Sequence, residues 1–307
     1  MIRLDHLTKR FGRFTAVDDL SLTIAQGEAV ALWGPNGAGK TTIIRCVLGL
    51  IRFRGSISVA GFDVRRRGKA ARRMIGYVPQ ELAFHDDLRA ADALGFLASL
   101  KRTPRERIGV VLREVGLEGH ARKRVRELSG GMKQRLALAA ALLADPPALI
   151  LDELTSNLDA EAQSGFMSLL KSLKDRGKTI LFTSHHYAEV RALADRVLML
   201  ERGRVVRQGQ PDAAAEIAEN LLMKVFVADG QIEEAAAALS RRGFEASRNG
   251  CGVHVVVNPR AKAGPIHALA ETRIRVEDFE LLGNGRLPSA ASTPAPASHH
   301  AQGDRHV

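Results

Sequence analysis

Near the start of the chain the sequence reads Gly34-Pro35-Asn36-Gly37-Ala38-Gly39-Lys40-Thr41. It fits the pattern G-x-x-x-x-G-K-[ST] of a phosphate-binding loop. The glycines let the backbone turn so that its N–H groups point inward, and the helix that follows adds its positive N-terminal end. An ordinary glycine turn is the alternative. The loop lies between a strand-like run at 30–33 and a helical run at 41–50, which is the context that a phosphate-binding loop requires.

An acidic pair follows a second strand-like run, residues 148–151, and consists of Asp152 and Glu153. We expect this strand to lie beside the strand that enters the loop. Lys40 would then reach the β- and γ-phosphates of a nucleotide, while Thr41 and Asp152 would contact Mg²⁺. Glu153, one residue further, would polarise an attacking water as general base. Alone, such a pair marks only the end of a strand; together with the loop it predicts an active site.

Two further motifs narrow the interpretation. Ser129-Gly130-Gly131 before an apolar helix predicts a second anion-binding helix start. A nucleotide has one γ-phosphate, and the loop would already hold it. The second helix start is therefore explained if it covers a nucleotide bound to another copy of the chain. A plain helix cap is the alternative. In Thr183-Ser184-His185 a histidine follows an apolar strand and could touch a γ-phosphate, although a lone histidine at such a place is more often structural.

The remaining pattern predicts an α/β fold. The first thirty residues alternate short apolar runs with turn signals, which is typical of antiparallel strands. Residues 90–144 are helical in pattern, and further strands at 179–183 and 197–200 alternate with helices, which favours a parallel sheet covered by helices. Residues 222–280 predict a small strand–helix–strand unit with strands at 224–227 and 253–257. The Pro-, Ala-, Ser- and His-rich end, 288–307, predicts disorder.

Composition argues against a disulfide-stabilised secreted protein and against a membrane-spanning one. The 307 residues are 45% hydrophobic and carry 45 Lys and Arg against 34 Asp and Glu, a net charge of +11, which suits an anionic partner. Two cysteines, Cys46 and Cys251, cannot form a disulfide framework, so a reducing compartment is expected. The polar N-terminus does not resemble a signal peptide, and no run of about 18 apolar residues predicts a membrane span. The chain is expected to be soluble by itself.

Taken in chain order, these motifs resemble the nucleotide-binding subunits of ABC transporters, from about residue 4 to residue 211. The matching positions are Phe11 as the adenine-stacking aromatic, Gly34 to Thr42 as the Walker A loop, Gln80 as the Q-loop glutamine, Ser129, Gly130, Gly131 and Met132 as the signature, Asp152 and Glu153 as the Walker B end, Asp159 as the D-loop aspartate and His185 as the switch histidine.

The resemblance implies a P-loop NTPase cassette with an antiparallel β subdomain and a helical subdomain, using ATP and Mg²⁺. It assigns Glu153, His185 and Gln80 to catalysis and Thr41, Gln80 and Asp152 to the metal. Phe11, the loop from Gly34 to Thr42, Ser129, Gly130, Gly131 and Asp159 would bind nucleotide. Leu154, Asn157 and Met132 depart from the residues usual in the family, but no catalytic group is lost, and activity is expected.

The resemblance also implies partners. Two cassettes bind head to tail, as identical chains or with a related cassette, and act on separate membrane permease subunits. The protein would then be cytoplasmic, peripheral on the inner face of the cell membrane. The predicted division is 1–215 for the cassette, 216–286 for a small C-terminal α+β domain and 287–307 for a disordered tail. Such an extension resembles those of drug, lipid or metal exporters, and residues 152–159 resemble the ATPases of copper-linked transporters for nitrous oxide reductase maturation.

The net charge of +11 favours one competing function, a soluble ABC-type ATPase that acts on ribosomes or DNA. The family's ribosome-acting members usually carry two cassettes, and its DNA-repair members carry a long coiled coil, neither of which occurs here. The two densest basic runs, 65–69 and 122–126, lack interleaved aromatics, so no nucleic acid is expected as partner. Solvated surface is the expectation for both runs, and contact with acidic headgroups or a permease loop is the alternative for the second run, which lies just before the signature.

Overall fold

The computed structural model describes residues 1–81, 84–153, 155, 158–184, 186–212, 221–228, 230–250, 252–257, 261–272 and 274–284. The chain divides into two compact units, residues 1–214 and residues 215–307. The limits 1–215 and 216–286 set from the sequence stay a prediction, and the tail at 287–307 lies outside the described residues. Among the described residues, no helix has the length and apolar character needed to cross a membrane.

The first unit alternates strands and helices along most of its length. Its strands are β1 (Ile2–Phe11), β2 (Phe14–Ile24), β3 (Ala29–Trp33), β4 (Arg54–Val59), β5 (Phe62–Asp63), β6 (Ile75–Val78), β7 (Ala148–Leu151), β8 (Thr179–Ser184), β9 (Arg196–Glu201) and β10 (Arg204–Gly209). Its helices are α1 (Lys40–Val47), α2 (Gly68–Arg73), α3 (Ala90–Lys101), α4 (Glu106–Glu114), α5 (Gly130–Leu142), α6 (Ala160–Asp175) and α7 (Tyr187–Leu193), with short 3-10 turns at Glu118–His120 and Val125–Glu127.

Two sheets form this unit. The first is antiparallel in the order β2-β1-β4-β5, and the second runs β10-β9-β3-β8-β7-β6. In the second sheet β9, β3, β8, β7 and β6 are parallel and only the β9–β10 pair is antiparallel. Helix α1 packs between the sheets, with its apolar side chains in one buried cluster that draws on both. The predicted combination of an α/β cassette, an antiparallel part and a helical part is confirmed.

The strand order corrects one expectation. The strand that ends at Asp152, β7, is not the neighbour of β3, because β8 lies between them. Trp33 of β3 is level with Ser184 of β8, and Leu151 of β7 is level with Phe182. All three strands end at the same edge of the parallel sheet. Residues at the end of β8 therefore stand between the phosphate-binding loop and the acidic pair.

The second unit is larger than the predicted strand–helix–strand. It contains β11 (Leu221–Val227), α8 (Ile232–Arg241), β12 (Ala246–Asn249), β13 (Gly252–Val257), α9 (Gly264–Ala270) and β14 (Val276–Asn284). The strands form an antiparallel sheet in the order β12-β13-β11-β14. Met223, Val225 and Val255 on one face of this sheet are buried with residues of α8 and α9. The order β-α-β-β-α-β is that of a ferredoxin-like unit.

Candidate nucleotide site

Close packing requires glycine at two positions of the phosphate-binding loop. A Cβ on Gly34 would lie 2.3 Å from the carbonyl oxygen of Leu200, and a Cβ on Gly39, at a φ of +102°, would lie 2.4 Å from that of Ala16. Side chains do not approach backbone oxygens so closely, so the loop can follow this path only with glycine there. Gly37, at a φ of +78°, faces open space instead. Gly34 and Gly39 thus lie where the loop packs against the rest of the chain, whereas Gly37 lies on the open side of the loop.

Lys40 opens helix α1 and is only 5% exposed. Its Nζ donates hydrogen bonds to the carbonyl oxygens of Gly34, at 2.6 Å, and Pro35, at 3.1 Å. Burial lowers the pKa of Lys40, because the charged ammonium loses water, and the nearby carboxylates of Glu153 and Asp152 act in the opposite direction. The ammonium is therefore held inside the curve of the loop, where an anion would gain the most from it.

Asp152 is buried and joins three elements at the sheet edge. Its Oδ1 accepts a hydrogen bond from the hydroxyl of Thr183, on β8, at 2.7 Å, and one from the hydroxyl of Thr41, on α1, at 3.2 Å. The hydroxyl of Thr41 and the carboxylate of Asp152 are the hard oxygen donors that Mg²⁺ prefers. These two residues therefore fit a magnesium ion beside the loop.

Glu153 adopts a left-handed backbone conformation, with a φ of +51°, which is strained for a residue with a side chain. Its N–H donates to the hydroxyl of Thr183 at 2.7 Å, and its Oε2 accepts a hydrogen bond from Nε2 of Gln80 at 2.7 Å. Thr183 therefore contacts both members of the acidic pair. The sequence did not single out Thr183, because the strand order that places it between β3 and β7 is not visible in an apolar run.

An open cleft of about 240 Å³ lies over the loop. Phe11 and Phe14 form one side of it; they are a cross-strand pair at the turn between β1 and β2 and are 49% and 62% exposed. The ammonium of Lys9 lies 4.3 Å from the centre of the Phe11 ring. The sequence pointed to Phe11 alone, whereas both rings border the cleft. Its lining comprises Phe11, Phe14, Ala16, Asn36, Gly37, Ala38, Gly39, Lys40, Thr41, Thr42 and Glu153.

The signature and the D-loop aspartate lie together at the starts of two packed helices. Ser129 caps α5, accepting a hydrogen bond from the N–H three residues on at 3.3 Å, and both Ser129 and Gly130 are exposed. Gly131 lies against α6, since a Cβ there would come within 2.7 Å of the Cβ of Ala162. Asp159 caps α6 by accepting from the N–H of Ala162 at 2.7 Å. None of these residues is among the described residues that line the cleft.

His185, the predicted switch histidine, lies outside the described residues, as do Leu154 and Asn157, where the sequence departs from the family pattern. Their predicted roles stay predictions. Thr183 and Ser184, which precede His185 on β8, are described and buried, so the strand that leads to it ends beside the acidic pair.

Sequence reasoning missed a buried carboxylate, Glu189 of α7, which is 2% exposed. It accepts hydrogen bonds from the hydroxyl of Thr155, from the hydroxyl of Ser184 at 2.5 Å and from Nε2 of Gln163 at 3.2 Å. These donors come from the segment after β7, the end of β8 and helix α6. Glu189 therefore ties together three parts of the chain around the acidic pair. The available signal was an acidic residue beside the apolar Val190 of a short helix.

Comparison with known proteins places this geometry in a family. The model of the family described as ABC transporter matches residues 17–156. The daunorubicin resistance ATP-binding protein DrrA3 of Streptomyces coeruleorubidus is 35% identical over 288 residues, which cover 91% of each chain. The Nod factor export ATP-binding protein I of Paraburkholderia xenovorans (strain LB400) is 41% identical over 223 residues, covering 70% of this chain and 73% of that one.

Solved structures agree with this result. A dimeric ATP-binding cassette, MJ0796, in a post-hydrolysis state with ADP and Pi, superposes with a TM-score of 0.62 at 28% identity, covering 69% of this chain and 99% of that one. An ATP binding subunit of an ABC transporter superposes with a TM-score of 0.63 at 28% identity, covering 70% and 92%. The fold and the site thus define a nucleotide-binding P-loop ATPase. The chain belongs to the ABC transporter family and is one of its ATP-binding proteins. The predicted family and activity are confirmed.

Proposed function

We propose that this chain hydrolyses ATP in order to drive a separate membrane permease that exports its substrate. The observation that carries the proposal is that Lys40, Thr41 and Glu153 line one cleft, with the carboxylate of Asp152 hydrogen-bonded to the hydroxyl of Thr41. A buried ammonium, a hydroxyl–carboxylate pair and a second carboxylate at one sheet edge are the groups that nucleoside triphosphate hydrolysis requires.

Substrate binding uses the loop and the two rings. The backbone from Gly34 to Thr42 surrounds the phosphates, and Lys40 exchanges its bonds to the loop carbonyls for bonds to phosphate oxygens. An aromatic ring at the hairpin turn, Phe11 in the first instance, stacks on the base. Base–aromatic stacking contributes about 1–3 kcal/mol per base in proteins that bind nucleotides in this way. The nucleotide thereby replaces contacts that the chain makes with itself.

Thr41 and Asp152 would hold Mg²⁺, and Gln80 is a third candidate. The ion, when bound, neutralises charge on the β- and γ-phosphate oxygens. The structure offers Thr41 and Asp152 together, whereas the amide of Gln80 bonds to Glu153. Gln80 therefore acts first on the orientation of the carboxylate of Glu153.

Hydrolysis then rests on Glu153. Its carboxylate accepts a proton from the attacking water, so that the water oxygen forms the new bond to the γ-phosphorus while the bond to the ADP oxygen breaks. Thr183 fixes the backbone of Glu153, and Gln80 fixes its side chain. Glu189 acts as a positioning residue, because it restrains Thr155, just after the acidic pair, and Ser184, at the end of β8. His185 keeps its predicted role at the γ-phosphate.

A second cassette completes the site. Ser129, Gly130, Gly131 and Asp159 lie at helix starts away from the cleft of their own chain, which supports a head-to-tail pair in which they cover the nucleotide of the partner. The related cassette described above is dimeric. Two identical chains would form two equivalent sites.

Export is supported by the names of the relatives. One, which the match covers over 91% of its length, is named for daunorubicin resistance, and the other is named for Nod factor export. The chain would therefore act on the cytoplasmic face of the membrane, against permease subunits that carry the transport path. The alternative taken from the sequence, copper transport for nitrous oxide reductase maturation, stays a prediction. A soluble ATPase acting on ribosomes or DNA retains the support of the +11 net charge alone.

Co-purification tests the proposal. The tagged chain is isolated from gently solubilised native membranes, and ATPase activity is measured for the chain alone and for the complex. We expect a multi-span membrane protein at stoichiometric yield and a changed ATPase rate in its presence. The matched control is Lys40→Ala, which should still bind the permease but hydrolyse no ATP. Ribosomal proteins or nucleic acid without a membrane protein would overturn the proposal.

A further inference from the structure

A strongly basic surface lies on the first unit, outside the nucleotide cleft. Residues 52–73 contain eight Lys and Arg and one acidic residue, Asp63, whereas the whole chain carries 45 basic against 34 acidic residues. All eight basic side chains are exposed. We call this surface the basic patch, and its members are Arg52, Arg54, Arg65, Arg66, Arg67, Lys69, Arg72 and Arg73.

Contacts between β4, β5 and α2 make the basic patch continuous. The guanidinium of Arg65 donates to the carbonyl oxygen of Gly55 on β4 at 2.6 Å and lies 5.3 Å from the centre of the Phe53 ring. The guanidinium of Arg67 lies 4.5 Å from the centre of the Phe62 ring on β5. Arg65 and Arg67, in the segment between β5 and α2, therefore lie against β4, β5 and the residue before β4, which concentrates their charge on one surface.

The basic patch is opposed by few carboxylates. Its one acidic residue, Asp63, accepts hydrogen bonds from the backbone N–H groups of Arg66, at 2.7 Å, and Arg65, at 2.9 Å, and the bond from Arg66 is the largest cause of its lowered pKa. In the described part of the chain, no basic side chain of the patch pairs with a carboxylate within 4.0 Å. The basic run before the signature differs, because Arg126 contacts Asp87 at 2.8 Å.

The aromatic rings of the patch favour a phosphate-rich surface over nucleic acid. Single-stranded RNA and DNA gain much of their affinity by stacking bases on exposed aromatic rings. Phe53 and Phe62 are partly buried against the core cluster, and each carries a guanidinium over its ring. They are therefore occupied, and what the surface offers is guanidinium groups, which bind phosphate oxygens through paired N–H donors.

We propose that the basic patch binds the anionic phospholipid headgroups of the membrane in which the permease lies. This inference rests on the proposed function, which brings the chain to that membrane. Clusters of four to eight Lys and Arg are typical of surfaces that bind anionic lipid, and each such cation near the bilayer contributes roughly fivefold in binding. The patch gives the cassette an electrostatic contact with the bilayer that is separate from its contact with the permease.

The test uses the purified full-length chain and vesicles of two compositions, phosphatidylcholine alone and phosphatidylcholine mixed with phosphatidylglycerol. The test variant replaces Arg66, Lys69 and Arg73 with Gln, leaving in place the guanidiniums that lie over Phe rings. The control replaces three exposed cations of the second unit, Arg241, Lys262 and Arg275, with Gln, so that both variants lose the same charge. ATPase activity and circular dichroism are measured on every sample.

We expect the wild-type chain to bind the vesicles that contain phosphatidylglycerol and not those of phosphatidylcholine alone. Its affinity should fall as the salt concentration rises. The test variant should bind on the order of 100-fold more weakly, since three cations of roughly fivefold each are lost. The control variant should bind like the wild type, and all three should hydrolyse ATP equally. If the test variant does not fold, Arg66→Gln alone, with an expected loss of roughly fivefold, takes its place.

Two results would overturn the inference: equal binding of test variant and wild type, or an equal loss in the control, which would make net charge the cause. Binding to single-stranded RNA with no binding to vesicles would assign the patch to nucleic acid instead. Failure of the proposed function looks different. In that case no permease co-purifies, whatever the vesicles show, whereas a failure of this inference alone leaves permease binding and ATPase activity intact.

Discussion

Replacing Thr183 with Val removes one hydroxyl from the centre of the site and little else, because the two side chains have nearly the same shape. Thr183 is fully buried, and its hydroxyl donates to Asp152 at 2.7 Å and accepts from the N–H of Glu153 at 2.7 Å. The variant would remove the hydroxyl that accepts the N–H of Glu153 and would take one donor from the buried carboxylate of Asp152. An unsatisfied buried group costs about 1–3 kcal/mol.

That cost bears on catalysis, because the lost acceptor holds Glu153 in its strained left-handed conformation. If the backbone relaxes, the carboxylate leaves the position from which we propose that it acts as general base. A loss of about 1–3 kcal/mol in the transition state lowers kcat by roughly 5- to 150-fold. The KM for ATP should change little, since Lys40 and the loop are untouched. The assay is steady-state ATP hydrolysis over a range of ATP concentrations, with unfolding followed in urea.

Thr179→Val is the matched control. Thr179 starts the same strand, is equally buried, and its hydroxyl accepts the N–H of Gly27 at 2.9 Å. Its loss should lower the free energy of unfolding by about 1–3 kcal/mol without lowering kcat, because the far end of β8 does not touch the acidic pair. An unchanged kcat in Thr183→Val, with both variants equally destabilised, would refute the bridging role of Thr183.

Three further outcomes are expected. Gly34→Ala should abolish nucleotide binding, because its Cβ would lie 2.3 Å from a backbone oxygen, whereas Gly37→Ala should cost only backbone strain of about 1 kcal/mol. Thermal unfolding and binding of a fluorescent ATP analogue measure both variants. Equal effects of the two substitutions would contradict the close packing at Gly34. Phe11→Ala should weaken ATP binding by about 1–3 kcal/mol and Phe14→Ala by less, so calorimetry that gave the reverse order would move base stacking to Phe14. Glu189→Leu should lower kcat more than it raises KM, since three donors around the acidic pair lose their acceptor; a drop in melting temperature at unchanged kcat would make Glu189 a purely structural residue.

Local motifs could be predicted from the sequence because each carries its own chemistry in consecutive residues. The phosphate-binding loop is an example, since its glycines, Lys40 and the following helix form one continuous signal. The acidic pair after a buried strand is another. The order of the motifs along the chain then identified the family, and through it Gln80, which has no recognisable chemistry of its own. Features formed by residues that are close in the sequence can therefore be predicted directly from it.

Interactions between distant segments were not readable. An apolar run predicts a buried strand but not which strands lie beside it in the sheet. The position of β8 between β3 and β7 could therefore not be predicted, and Thr183 was missed. Glu189 was missed because its three donors are spread over residues 155–184. In the second unit, β12 is short and polar, and the described side chains of β14, residues 276–281, are mostly exposed, so neither strand shows the apolar alternation that predicted β13.

Glu153→Gln keeps the shape of the side chain and removes its ability to accept a proton, so it isolates the proposed catalytic role of Glu153. ATP binding, ATP hydrolysis and ATP-dependent dimerisation are measured on one preparation, with Glu106→Gln, an exposed position in the first turn of α4, as control. We expect unchanged ATP binding, loss of hydrolysis and accumulation of a dimer in ATP. Hydrolysis at the wild-type rate would contradict the assignment of Glu153 as the base and of the cleft as the catalytic site.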